Sequence, residues 1–277
     1  MLRQDPPANL QTGDALMAQV RVAVLRSPGT NCDGETQFAF EQAGARADFV
    51  LVQELMTKSK RLADYQILAI PGGFSYGDDI AGGRLVANEL KYGLRDELDT
   101  FIRANKLVIG ICNGFQILVK AGILPSGRAD AAQDVTLTWN DSGRFEDRWV
   151  YLKPEFNVCV WTQGIEEPIE LPVAHGEGKF VPKDPTILEQ LVGFGQIVFH
   201  YCDASEQEAG YPWNPNGSVG NIAGICDPTG RIFGLMPHPE RHAVPVQHPR
   251  WPREGLKAQA DGARIFRNGV TWAESHL

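Results

Sequence analysis

Through the first half of the chain, short apolar runs alternate with stretches whose apolar residues recur every three or four positions. Residues 20–25 (VRVAVL) form a β-branched run that stops at Pro28-Gly29, as a strand buried on both faces would. A helix is predicted from Asp33 to Gly44, a second strand over 47–52, and a third over 66–70, cut off by Pro71-Gly72-Gly73. Leu90, Leu94, Leu98, Phe101 and Ile102 recur at helical spacing and predict one long amphipathic helix over 85–104. Residues 107–111 (LVIGI) make a fourth strand, followed at once by a helix that runs through Lys120 to a stop at Gly122. Strands alternating with helices imply parallel pairing through right-handed crossovers, hence a doubly wound α/β fold.

The second half changes character. Between residues 135 and 236 strands are more numerous and turns such as Asn214-Pro215-Asn216-Gly217 are frequent. That pattern predicts an antiparallel or mixed β extension of the sheet, with a short helix over 186–191 and a last helix over 255–268. With no repeat and no low-complexity linker, residues 17–277 read as a single domain. Residues 1–16 hold two prolines and no apolar segment, so they read as a disordered or non-core tail rather than a signal peptide.

Composition narrows the field. The formal charge of -8 argues against nucleic acid or an anionic membrane as the main partner. No apolar stretch approaches the ~18 residues that a membrane-spanning helix requires. Five cysteines, odd in number and without a CxxC pair, fit neither a disulfide framework nor a zinc knuckle and point to a reducing cytoplasm. One of them stands where a nucleophile would stand.

Cys112 lies in Gly110-Ile111-Cys112-Asn113-Gly114, between an apolar strand and a helix, which is the G-x-nucleophile-x-G elbow with sulfur in place of oxygen. The following helix N-terminus offers free N–H groups and a positive dipole end, which favour a thiolate. The backbone N–H of Asn113 is placed for a developing oxyanion, and glycines at Pro71-Gly72-Gly73-Phe74 allow a second donor from a neighbouring strand end. Both loops fall at the carboxyl edge of the sheet, where ligands bind in such folds. The base is expected at His238-Pro239-Glu240: proline keeps His238 extended, so Glu240 shares its face and orients the imidazole. A metal reading of His238, Glu240 and His242 lacks a fourth ligand, so no metal is expected. His175 could line a substrate or order its loop. Cys32 also lies between a strand and a helix but without the glycine frame, and Cys159, Cys202 and Cys226 read as core thiols.

These segments resemble a class I (triad) glutamine amidotransferase, a flavodoxin-like α/β fold. More narrowly, PGTNCD (28–33), PGGFSYGDD (71–79), GICNGFQ (110–116), SGRFEDRW (142–149), AHGEGKF (174–180) and GLMPHPER (234–241) are similar to the glutaminase subunits of phosphoribosylformylglycinamidine synthase, an enzyme of de novo purine biosynthesis. The resemblance covers residues 20 to about 242. It implies that Cys112 attacks the glutamine side-chain amide, with His238 as acid and base and Glu240 orienting it. It implies an oxyanion hole at Gly73 and Asn113, and glutamine contacts at Gln116, Gly72 and Phe74. It further implies that ammonia passes to a large synthetase subunit, which uses ATP and Mg, with a small bridging subunit in the complex. This chain has no GxxxxGK[ST] motif and is expected to carry no cofactor itself. Two other classes compete: a stand-alone cysteine hydrolase of similar fold, and a non-catalytic module, against which the complete Cys-His-Glu set argues. The stretch 242–253, rich in His and Pro, departs from the family pattern.

Overall fold

The apolar runs of the first half lie side by side as parallel strands. The structure, a computed structural model, describes residues 19–129, 131–208 and 210–277; the expected tail, residues 1–16, lies outside the described residues. The first half contributes β1 (Arg21–Arg26), α1 (Asp33–Gln42), β2 (Arg46–Leu51), α2 (Val52–Met56), β3 (Ile67–Ile70), α3 (Arg84–Asn88), α4 (Arg95–Arg103), β4 (Leu107–Ile111) and α5 (Asn113–Lys120). The second contributes β5 (Val135–Thr138), β6 (Glu146–Pro154), β7 (Ile169–His175), β8 (Lys179–Pro182), α6 (Pro185–Gly193), β9 (Ile197–Cys202), β10 (Ile222–Cys226), β11 (Ile232–Leu235), α7 (Trp251–Glu254) and α8 (Asp261–His276).

Among the described residues, nine strands form one sheet in the order β2-β1-β3-β4-β11-β10-β9-β6-β7. Pairing is parallel from β2 across to β11 and antiparallel from β11 across to β7. The chain therefore builds the expected doubly wound sheet with an antiparallel extension, while β5 and β8 pair separately. Every residue of β3 and β4 is buried. Because alternate side chains point to opposite faces, both faces must be covered. Part of that cover joins the two ends of the chain: Phe40 of α1 meets Phe266 of α8 edge-on at 4.9 Å and Trp161 at 6.4 Å. Each such buried ring contributes roughly 1.5–3 kcal/mol over exposure. No helix among the described residues is long and apolar enough to cross a membrane.

The pairing of β11 with β4 is what positions the site. Leu235 lies opposite Ile111 in parallel register, so the segments that follow, Cys112 in one strand and His238 in the other, emerge at the same edge. The intervening chain, residues 112–231, folds away from that edge, because parallel neighbours require crossovers rather than hairpins.

Three elements differ from the sequence pattern. The expected helix over 85–104 is broken by a wide π-type turn, in which the Leu94 N–H bonds both Glu89 O (3.1 Å) and Leu90 O (3.3 Å). Gly93 closes that turn beside Met56, whose Cε would lie 3.1 Å from a Cβ built on the glycine. β2 ends one residue early, at Leu51, because Glu54 accepts the Leu51 N–H (2.8 Å) and starts α2. The last helix begins at Asp261 rather than 255, and its buried stripe of Ile265, Phe266, Val270 and Ala273 extends beyond the predicted end. Gly255 stops α7 in a left-handed conformation, and Asp261 then anchors the new start by accepting the Glu170 N–H (2.9 Å) and Lys257 (2.8 Å).

Candidate active site

The elbow is held by backbone contacts too close for side chains. Cys112 sits at φ 51°, a left-handed conformation that costs a non-glycine residue on the order of 1 kcal/mol or more. Its N–H donates to Leu235 O (2.8 Å), extending the β4–β11 ladder by one rung. A Cβ on Gly114 would lie 1.8 Å from Ile70 O, and one on Gly110 would lie 2.6 Å from Gly114 O. The glycine frame read from the sequence is therefore a packing requirement. The Cys112 thiol, 5% exposed, faces Ala174 O at 3.8 Å.

His238 is fixed at its backbone by an N–H bond to Pro172 O of β7 (2.8 Å) and at its ring by Glu240, whose Oε1 lies 2.6 Å from Nδ1. Both side chains are buried. A carboxylate only accepts, so Nδ1 carries the hydrogen and Nε2 is the free end; it has no partner among the described residues. The contact is not made along an extended strand as expected, because Glu240 lies in a short 3₁₀ turn (Pro239–His242) that curls it back beneath the ring. Burial alone would depress His238, but the charge of Glu240, and then Cys112, outweigh it and hold the imidazole well above its ordinary pKa. Replacing Glu240→Gln leaves burial less opposed, so the His238 titration is expected to move to lower pH. An NMR titration of the ring would show this; an unmoved midpoint would mean that Glu240 does not set the charge.

The second loop closes over the first. Phe74 N–H donates to Gly29 O (2.9 Å) and Cys32 N–H to Gly72 O (3.2 Å), so residues 28–33 are zipped onto 71–74. Gly72 is pressed against the triad: a Cβ there would lie 2.8 Å from His238 Cε1. Gly73, at φ 146°, and Asn113 have no acceptor for their N–H groups among the described residues, as oxyanion donors must. The Asn113 side chain ties the elbow to the loop beyond. Its Oδ1 accepts from the Ser75 N–H (3.3 Å) and hydroxyl, and its Nδ2 donates to Asp78 Oδ1 (3.1 Å) and Gln116 Oε1 (2.8 Å). Gln116 in turn donates to Glu177 O (2.6 Å).

A cavity of about 300 Å³ opens at this point, within the range of small-ligand sites. Of the residues expected from sequence, Cys112, Gly73, Phe74 and Gln116 line it, whereas Gly72, His238 and Glu240 form the buried wall behind the thiol. A larger hollow of about 490 Å³ lies along β9, around His200 and Cys202; there His200 Nδ1 is held by Gly220 O (2.7 Å) rather than by the thiol. His175, left open by the sequence between lining a substrate and ordering its loop, lies in the wall of this cavity and also orders its loop: Asn140 donates to Arg144 O and His175 O, so its Oδ1 is left to accept from His175 Nδ1 (3.1 Å). Burial, then the charge of His238, push His175 down to about 3, and it is neutral.

The sequence did not place Cys32. Its sulfur lies 4.0 Å from His238 Nδ1, on the Glu240 side of the ring, and 3.1 Å from Arg241 Nη2. Burial pushes this thiol up against the pull of His238. Cys32, His238 and Glu240 offer ligand-type atoms within 4.8 Å of one another, but the Arg241 guanidinium occupies the same space and repels a cation.

An elbow cysteine, an oriented histidine and two free N–H groups on adjacent loops are the parts of an acyl-transfer site. Residues 19–273 match the model of the CobB/CobQ-like glutamine amidotransferase domain. The chain belongs to this amidotransferase family. Among curated amidotransferase relatives, the phosphoribosylformylglycinamidine synthase subunit PurQ of Dehalococcoides mccartyi is 51% identical over 93% of this chain and 99% of its own. The protein of that name from Archaeoglobus fulgidus is 43% identical over 92% of this chain and 98% of its own. Among solved structures, a chain in the structure of PurLQS from Thermotoga maritima superposes with a TM-score of 0.71 at 31% identity, covering 92% of this amidotransferase and 99% of that chain.

Proposed function

We propose that this glutamine amidotransferase is the glutaminase subunit of a phosphoribosylformylglycinamidine synthase. The observation that carries the chemistry is the buried Glu240–His238 pair at the end of β11, beside the Cys112 elbow of β4. The names of the relatives, matched over nearly their full length, supply the pathway.

The steps follow from the groups present. The Cys112 thiol gives its proton to His238 Nε2, its sulfur attacks the side-chain carbonyl carbon of glutamine, and the oxyanion forms toward the Gly73 and Asn113 N–H groups. As the C–N bond breaks, His238 Nε2–H protonates the departing nitrogen, leaving a glutamyl thioester and ammonia. His238, now neutral, takes a proton from water, whose oxygen attacks the thioester; glutamate leaves, and His238 returns the proton to the departing sulfur, which restores the thiol. Glu240 stays ionised and holds the imidazole in one tautomer. Gln116, with its amide engaged by Asn113 and Glu177, contributes by shaping the wall beside glutamine, together with Gly72 and Phe74.

Ammonia then passes to a separate synthetase subunit, which uses ATP and Mg to convert formylglycinamide ribonucleotide to the amidine, and a small bridging subunit joins the two. This chain needs no cofactor or metal for its half-reaction. Residues 17–277 act as one domain, supported by the single sheet that draws strands from both halves. The free cysteines and the absence of a membrane-crossing helix among the described residues support a cytoplasmic enzyme.

A glutamine-mimicking electrophile, 6-diazo-5-oxo-L-norleucine, is expected to label one thiol, at Cys112. Peptide mapping that finds the label on Cys32, or nowhere, would sink the assignment. The hydrolase alternative is separated by glutaminase assay of the chain with and without its synthetase partner. Low activity alone that rises in the complex supports the amidotransferase; full activity alone supports the hydrolase.

A further inference from the structure

Residues 242–253, where the chain departs from its family pattern, fold straight back onto the strand behind the triad. Among the described residues that strand, β7, is the last in the sheet and pairs with β6 alone. Two of its carbonyls, two residues apart, hold the turn that carries Glu240. Pro172 O accepts the His238 N–H (2.8 Å) at one end, and Glu170 O accepts from His242 Nδ1 (2.9 Å) at the other. His242 is fully buried, and its Nε2 has no partner among the described residues. Burial, its largest influence, keeps this imidazole below its ordinary pKa, so it is neutral and its one hydrogen sits on Nδ1. Trp149 meets His242 edge-on at 5.2 Å and His248 at 4.7 Å. A phenyl ring would pack as well in such surroundings, and what the imidazole adds is the bond to β7. Glu170 is itself locked by three residues. Its N–H donates to Asp261 Oδ2 at the start of α8 (2.9 Å), and its Oε2 accepts from His248 Nε2 (3.3 Å) and pairs with Arg250. The Arg250 N–H donates to His248 Nδ1 (3.3 Å), which leaves the hydrogen of that ring on Nε2. The first turn of α8 presses on the other face: a Cβ on Gly262 would lie 2.0 Å from Pro239 O and 2.7 Å from His242 O.

We propose that His242 is a positioning residue for the reaction: its bond to Glu170 O pins the far end of the 3₁₀ turn and so holds Glu240 beneath His238. This rests on Cys112, His238 and Glu240 as the reacting set. Glu240 places one carboxylate oxygen on His238 Nδ1, and its other oxygen has no partner among the described residues. No further hydrogen bond among those residues steadies the carboxylate, so the backbone that carries it sets its position. That backbone is a turn of four residues, Pro239–His242, anchored on β7 through His238 before it and His242 at its end. His242 touches neither substrate nor reacting atoms and acts through this anchor.

The test reads the Glu240–His238 contact by NMR titration of the His238 ring in the full chain, beside the rate at which 6-diazo-5-oxo-L-norleucine alkylates Cys112. His242→Phe keeps a ring and removes the donor; the His238 midpoint is expected to fall by about one pH unit and the alkylation rate by about tenfold. His242→Asn, whose amide nitrogen can donate where Nδ1 did, should restore the midpoint and react within about threefold of the wild type. Cys112, Cys32 and His175 also face His238 and are unchanged in these variants. Arg241, on the turn itself, repels the imidazolium, so its withdrawal would raise the midpoint, and a fall therefore reports Glu240. Val270→Ala, a buried change in α8 that leaves the bonds of the turn alone, should lower the melting temperature without moving the midpoint, which separates positioning from general loosening. The wild type supplies a check that needs no variant to fold: nitrogen NMR shifts of His242 are expected to show hydrogen on Nδ1 and a bare Nε2 at neutral pH. Hydrogen on Nε2 instead overturns the proposal. So does His242→Phe with the wild-type midpoint and rate, or His242→Asn that shifts as far as His242→Phe. Label on a residue other than Cys112 overturns the reacting set itself, and the His238 midpoint still judges His242.

Discussion

Replacing Cys112 with Ala is expected to abolish glutamine-dependent amidation by the complex, by roughly 10³-fold or more, while leaving ammonia-dependent amidation within about twofold. The asymmetry follows from the division of labour proposed above. The thiol is needed only to release ammonia, and the synthetase accepts ammonia from any source. Loss of both activities would mean that the substitution disrupts assembly, and persistence of both would mean that another nucleophile acts. Cys32 is the natural suspect, since it too touches His238. Its sulfur lies toward Nδ1, which Glu240 already holds at 2.6 Å, so the ring has no free nitrogen to offer it as a base. Cys32→Ala is accordingly expected to retain glutamine-dependent activity within about threefold. The fold should tolerate Cys112→Ala, because alanine can adopt the left-handed backbone at the same cost as cysteine. An unchanged melting temperature beside a lost activity would therefore isolate the chemistry.

Which parts of this site were visible in the sequence has a physical explanation. The elbow was visible because the strand–helix turn is local and Gly110 is demanded by Gly114 O four residues on, although the demand on Gly114 comes from Ile70 O of β3 and shows in the sequence only as the glycine itself. The link between His238 and Glu240 was also local, although a 3₁₀ turn makes it where an extended backbone was expected. The pairing of β4 with β11, over a hundred residues apart in the chain, was not written in any spacing; it came from resemblance and from the rule that ligands gather at strand ends. Cys32 beside His238 and the ion pair of Lys120 with Glu177 (3.7 Å) are long-range consequences of packing. Their only trace in sequence was that PGTNCD and HGEGKF stood out as segments without assigned roles. The break over residues 89–93 was not legible because apolar spacing continues smoothly across it.

Gly114→Ala is expected to be among the most damaging single-methyl additions in the molecule. The added carbon would fall 1.8 Å from Ile70 O, at the end of β3, where neither backbone can yield without moving a buried strand or the start of α5. Relief requires the helix N-terminus to withdraw by an ångström or more. That movement would carry the Asn113 N–H and the Cys112 sulfur with it, and a misplacement of about 1 Å at reacting groups costs about 10²-fold in rate. Overpacking of this kind destabilises by about 1–3 kcal/mol and more where the backbone cannot adjust. At about 2–4 °C per kcal/mol for a domain near this size, the melting temperature should fall by roughly 5–10 °C or more. Two other glycines separate the causes. Gly44, at φ 96° with nothing within 4 Å of a built Cβ, would report conformational strain alone, expected at about 1–2 kcal/mol on change to alanine. Gly34, in α1 and equally unobstructed, should accept alanine with no loss or a gain of about 0.5–1 kcal/mol. Thermal unfolding of the three variants, with the rate of Cys112 alkylation measured on each, ranks them. If Gly114→Ala melts with Gly34→Ala and reacts at the wild-type rate, the elbow is not the rigid clamp that its contacts describe.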